Sequence, residues 1–130
     1  MKKAKFLILI LLTLTIGCAI SGKKDKYPEY FYSDSNDTYL VNLFYDDDTN
    51  WDMELLSYMN SSDELLKVMK GIQLYNVERE DNQLRAKRIG VNEFPTILIT
   101  DDKKVVMETQ DIKELKTFFN KLIKKEEDEL

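Results

Sequence analysis

The chain's 130 residues include 24 acidic and 19 basic side chains and no histidine, so the commonest general base and metal ligand is missing. Without the first 17 residues, 16 basic and 24 acidic groups leave a net charge of −8, which repels phosphate backbones and argues against nucleic acid as a partner. A hydrophobic share of 43%, with 11% aromatic residues, suffices for one packed domain, and the pattern calls for no cofactor.

Met1 to Lys5 is basic, and Phe6 to Ile16 is almost wholly apolar. Such a run is too short to span roughly 30 Å of hydrocarbon, but it suits the core of a signal peptide. Leu14-Thr15-Ile16-Gly17-Cys18 closes it. This string resembles the lipobox of bacterial lipoproteins, although Thr15 is less usual at its position. The resemblance implies a signal peptide over 1–17, cleavage before Cys18 and acylation of that cysteine by diacylglycerol or palmitate-type chains. Its location would then be the cell membrane, lipid-anchored, with the domain on the extracytoplasmic side. Cys18 is the only cysteine, so an internal disulfide is excluded and a lipid role explains the missing partner. Each buried CH₂ of an acyl chain contributes about 0.8 kcal/mol, so two or three chains hold firmly.

Residues 18–37 read as a tether, polar at first and then aromatic at Tyr27, Tyr30, Phe31 and Tyr32. The aromatic cluster is either an edge strand or a segment lying on the domain that follows, 38–125. Thr38 to Tyr45 is a continuous run of β-formers, as in a central buried strand. The acidic loop Asp46-Asp47-Asp48-Thr49-Asn50 ends it. Trp51 to Asn60 has helical spacing, and Ser61 with Glu64 reads as a capping box opening a helix over Asp63–Lys70, with Leu65, Leu66, Val68 and Met69 turned partly inward. Gly71 stops that helix.

Ile72 to Val77 reads as a second, parallel strand. Asp81 or Asn82 caps a short helix through Arg88, with Leu84 and Ile89 inward. Gly90 turns the chain, and Pro95 to Thr100 follows as a buried strand headed by proline, where a cis X-Pro bond is often fixed. Asp101-Asp102-Lys103 makes a tight turn, and Lys104 to Glu108 returns as an antiparallel edge strand. Asp111 and Glu114 cap the last helix, whose apolar stripe is Ile112, Leu115, Phe118, Phe119, Leu122 and Ile123. Residues 126–130 read as a frayed acidic tail.

The order of elements is β–α–β–α–β–β–α, with a further strand at its head if the aromatic cluster forms one. Leu40-Val41-Asn42-Leu43-Phe44-Tyr45 resembles the strand before the active site of the thioredoxin family. Arg88-Ile89-Gly90-Val91-Asn92-Glu93-Phe94-Pro95-Thr96-Ile97-Leu98-Ile99 resembles its cis-proline segment. The resemblance covers about Thr38 to Lys124 and implies an α/β, thioredoxin-like fold, with a central mixed sheet of four or five strands flanked by helices. That family carries its Cys-x-x-Cys where the first long helix begins, here near Asp48-Thr49-Asn50-Trp51, and no sulfur stands there. Thiol–disulfide exchange needs a thiolate attacking a disulfide sulfur, so dithiol oxidoreductase activity is not expected and no catalytic residue is assigned.

The acidic loop places Asp46, Asp48, Asn50, Asp52 and Glu54 at alternate positions, like the start of an EF-hand loop. Trp51 then stands where that loop needs glycine, and Ser57 where it needs glutamate. Asp46, Asp48 and Asn50 are thus weak metal candidates, and a solvated loop at a helix N-terminus is the simpler reading. What the resemblance leaves intact is peptide binding by strand addition beside the proline, with Phe94, Pro95, Trp51 and Tyr45 lining the groove and the acids at its rim. The reading is a membrane-anchored, redox-inactive accessory or chaperone-like module with a protein or peptide partner. The alternatives are a cysteine-independent or divalent-metal-dependent enzyme at Asp46–Asp48, and an immunity or export-support protein for a secreted peptide.

Overall fold

A computed structural model describes residues 27–130. Cys18 and the apolar run expected to be a signal peptide therefore lie outside the described residues. Among the described residues, no helix is long and apolar enough to cross a membrane.

Four strands form one sheet: β1 (Tyr39–Tyr45), β2 (Met69–Asn76), β3 (Thr96–Thr100) and β4 (Val105–Thr109), in the order β2-β1-β3-β4. β1 pairs parallel to β2 and antiparallel to β3, and β3 pairs antiparallel to β4. Helices α1 (Trp51–Met59) and α2 (Asp63–Val68) connect β1 to β2, α3 (Glu80–Arg88) connects β2 to β3, and α4 (Ile112–Glu129) closes the chain.

The two-residue period of a strand sorts the core onto two faces. Val41 and Leu43 of β1, with Ile97 and Ile99 of β3, meet Leu55 of α1, Leu65 and Val68 of α2, and Ile112, Leu115 and Phe119 of α4. Phe44 and Leu98 point the other way, toward Phe31, Tyr75, Ala86 and Ile89. On that face Phe44 and Tyr75 stack at 4.8 Å, and Phe31 closes on both at 6.0 and 5.5 Å. β3 is buried along its whole length, which explains its unbroken apolar sequence between two threonines.

The aromatic cluster is not a strand. Glu29–Phe31 is a single 3-10 turn, with Phe31 N–H donating to the Pro28 carbonyl and Tyr32 N–H to Glu29. It lays Phe31 on the sheet's second face, so the sheet has four strands and the aromatic segment packs on the domain.

Several boundaries also move. Ser62, not Ser61, caps α2, its hydroxyl accepting from Leu65 N–H. Gly71 does not stop α2. The chain is already extended at Met69, and Gly71 sits inside β2 opposite Leu40. Leu66 and Leu84 face solvent, and Ala86 takes the inward place on α3. Asn82 is not a cap; it lies buried, and its amide donates to the Asn76 carbonyl at 2.8 Å. Asp111 does cap α4, accepting from Lys113 N–H, while Glu114 accepts from the Thr109 hydroxyl instead of closing a reciprocal box. α4 continues to Glu129, so 126–129 are helical where fraying was expected.

Candidate functional site

The register fixes which loops meet. Phe44 pairs with Thr96 and Tyr45 with Asn76, so the end of β1, the residues before β3 and the end of β2 share one end of the sheet. The loop after β1 leads there into the first turn of α1.

Gly90 makes the approach to β3 possible. Its φ of 80° lies in the left-handed region that glycine enters without a Cβ penalty. Gly90 N–H donates to Lys87 and Val91 N–H to Ala86, the paired bonds of a Schellman motif that satisfies the last carbonyls of α3. Ile89 and Val91 are buried on either side of it. Asn92 to Pro95 then runs to β3, and the Phe94–Pro95 bond is cis. The Thr96 hydroxyl donates to the Glu93 carbonyl at 2.6 Å, pinning the segment from below. Phe94's own main-chain N–H and C=O make no hydrogen bond among the described residues.

The four residues expected to line a groove share this end but divide between the faces. Tyr45 and Trp51 pack, half-buried, against the α1/α4 side of the core, whereas Phe94 packs against the Phe31 side. Pro95 is also half-buried. The Tyr45 phenol is held above its ordinary value of 10.0 by burial first, then by the negative field of Asp52 and Asp47.

The acidic loop is occupied with its own turn. The Asp46 carboxylate accepts from Asp48 N–H at 3.1 Å, Asp47 accepts from the Asn76 amide at 3.1 Å, and the Thr49 hydroxyl accepts from Trp51 N–H at 3.2 Å. Among the described residues no group of three acidic, cysteine or histidine side chains is arranged to hold a metal ion. Asn50 stands at the N-cap of α1 and makes no side-chain cap hydrogen bond.

Sequence reasoning missed a set of acids on the other flank. Gly90 to Glu93 line a recess of about 230 Å³ with Thr96, Glu108 and Gln110. It shares Thr96, Glu108 and Gln110 with a neighbour of about 530 Å³ reached by Asp111 and Glu114. The Gln110 amide donates to the Glu93 carboxylate at 2.7 Å, tying the β4 exit to the segment before Pro95. The signal was available in principle: once β3 and β4 pair as a hairpin, the end of β4 must return beside the residues that precede β3.

One parallel pair, a central β1, and an antiparallel hairpin entered through a cis-proline and followed by a helix together decide the architecture. The fold is thioredoxin-like. Thioredoxin f2 of Chlamydomonas reinhardtii superposes with a TM-score of 0.51 at 17% identity, over 75% of this chain and 90% of that one. A mutant thioredoxin of Halobacterium salinarum is 22% identical, with a TM-score of 0.47 over 66% of this chain and 74% of that one. No protein-family model matches the chain, and no curated protein does. At such identities the likeness concerns the fold. Where the thioredoxin-like fold opens α1, this chain has Asn50 as N-cap followed by Trp51-Asp52-Met53, and its one cysteine is Cys18.

Proposed function

We propose that this is a redox-inactive thioredoxin-like domain, held at the outer face of a membrane through acylated Cys18, that binds an extended protein or peptide segment beside Phe94 and Pro95. The observation that carries the reading is the main chain of Phe94, which makes no hydrogen bond among the described residues, next to a segment already pinned by Thr96 and Glu93. An extended peptide adds to such a chain through main-chain hydrogen bonds, while side-chain recesses supply specificity. Trp51 and Tyr45 offer aromatic surface at the same end.

The charge on both flanks selects the partner. Asp46 to Asp48 stand on one side, and Glu93, Glu108, Asp111 and Glu114 line the recesses on the other. An acidic rim of this kind favours a basic or amphipathic segment and speeds its encounter at low salt. Without a dithiol the domain can hold such a segment but cannot exchange disulfides with it. This supports an accessory or chaperone-like role.

Two experiments test the parts separately. Metabolic labelling with a fatty acid should mark the wild type and leave Cys18→Ser unlabelled; equal labelling, or none in either, removes the anchor. Binding of the full chain to a lysine-rich extended peptide should exceed binding to its glutamate-substituted counterpart and fall as salt rises. Equal binding of the two peptides would contradict the site.

A further inference from the structure

Among the described residues the sheet ends in β2 on one side and β4 on the other, and the two edges are built differently. β4 is five residues long and carries Glu108. β2 is eight residues long, and between Lys70 and Asn76 it holds neither charge nor proline, reading Gly71-Ile72-Gln73-Leu74-Tyr75. An edge strand presents a row of unpaired N–H and C=O groups, which shortness, charge or proline ordinarily blunts. Here nothing blunts it.

Gly71 to Asn76 pair with β1 in unbroken register, so the stretch is a regular strand. Apart from that ladder, the main chain of residues 70–75 makes no hydrogen bond among the described residues. The Gln73 amide donates to the Asn42 side chain and the Tyr30 carbonyl, and the Lys70 ammonium lies 3.6 Å from Asp34. These are side-chain contacts, and they leave the outer main chain of the strand open. Leu74 is 38% exposed, and Ile72, on the same face by the two-residue period, is half-buried.

We propose that β2 pairs with β2 of a second copy of this chain, antiparallel about a two-fold axis at Gln73, joining the two four-stranded sheets into one. An axis perpendicular to the sheet keeps each face on its own side, so residues of like face meet. Centred on Gln73, the register sets Ile72 against Leu74 of the partner copy, twice, and covers both apolar side chains. Gly71 meets Tyr75 of the partner copy without a side chain to crowd the ring. Lys70 comes opposite Asn76 of the partner copy, whose amide holds Asp47 at 3.1 Å, so an ammonium group approaches a carboxylate at each end. Moving the axis to Ile72 would set Lys70 against Leu74, and moving it to Leu74 would set Ile72 against Asn76. Apolar pairing and charge pairing thus select one register, and the stretch is complementary to itself. That self-complementarity makes a second copy the occupant.

Sedimentation velocity of the full-length protein in a neutral detergent, over a dilution series and alongside hydrogen exchange, tests the proposal. The wild type should pass reversibly from monomer to dimer and no further. Amides within Gly71–Tyr75 should exchange more slowly as concentration rises. Leu74→Lys should weaken the dimer about tenfold, since each lost cross-strand pair counts twice across the axis. Exchange in β1 and β3 should stay unchanged in that variant, which separates a lost interface from a lost fold. Leu84→Lys, also at an exposed leucine but on α3, should leave the dimer intact. A monomer at every concentration, a dimer indifferent to Leu74→Lys, or assembly beyond the dimer would overturn the proposal. A monomer whose Gly71–Tyr75 amides are slowed only by an added strand-forming peptide would give the edge to a foreign strand and overturn it equally.

Discussion

The side-chain amide of Asn42, fully buried at the middle of the sheet, donates to the main-chain carbonyl of Phe31 at 3.1 Å. The Thr100 hydroxyl donates to the same carbonyl, and the Gln73 amide bridges the Asn42 side-chain oxygen to the Tyr30 carbonyl. Three strands thus hold one turn of the N-terminal segment by its backbone, which leaves the Phe31 ring free to close the second core.

Asn42→Leu should therefore loosen the N-terminal segment before it harms the sheet. The Gln73 amide keeps Tyr30, but Phe31 loses one of its two donors. A buried hydrogen-bonded group of this kind is worth about 1–3 kcal/mol when its partner is left behind. Limited proteolysis should cut near Tyr30–Ser33 several-fold faster in the variant, with the midpoint of chemical unfolding lowered.

Phe31→Ala should cost about 3–5 kcal/mol, because the ring is enclosed by Phe44 and Tyr75 and leaves a cavity between them. Leu84→Ala, on the exposed face of α3, should change stability by less than about 0.5 kcal/mol. Urea unfolding of both variants checks the contrast. Equal losses would mean that the N-terminal turn is not part of the core.

Alkaline pH should unfold the protein partly through Tyr75. Its phenol is raised from 10.0 to about 12, by burial first and by Tyr30 second, with Arg85 opposing. The folded state thus keeps a proton that the unfolded chain gives up near 10. The stabilisation is full below pH 10 and is lost as pH rises from 10 through 12. Tyr75→Phe should flatten that part of the stability–pH curve, measured by thermal unfolding between pH 9 and 11, and should cost about 1 kcal/mol at pH 7, where the phenol donates to the Gln73 side-chain oxygen at 2.8 Å.

Lys116 and Glu54 join α4 to α1 at 2.9 Å, with Tyr58 donating to the Lys116 carbonyl. Both charges are about one-third exposed, so solvent screens them. Lys116→Met should cost no more than about 0.5 kcal/mol, and the cost should vanish in high salt.

The sheet was legible wherever periodicity and turn chemistry agreed. The β-former run of β1, the Gly90 turn, the proline at the head of β3 and the stripe of α4 each had one physical reading. Tyr27–Tyr32 was ambiguous because aromatic residues favour strands, yet a strand needs a neighbour to pair with, and pairing is a tertiary fact. Gly71 misled because glycine ends helices as readily as it sits opposite a bulky side chain such as Leu40. Of the site, the end of the sheet could be read from the order of elements. The division of Tyr45 and Trp51 from Phe94 could not, since it depends on which face each ring enters. Glu93 lies fifteen residues before Glu108 and meets the recesses that Glu108 and Glu114 line only through the β3–β4 register.

The central claim is peptide binding without thiol chemistry, and Trp51 at the proposed edge provides the signal. Titrating the full-length protein with a lysine-rich extended peptide should change Trp51 fluorescence saturably. Replacing Cys18 with serine should leave the curve unchanged, whereas Phe94→Ala should weaken binding about tenfold, as truncation of a central aromatic anchor does. A wild-type response that disappears in Cys18→Ser, or no response at any peptide concentration, would contradict the account.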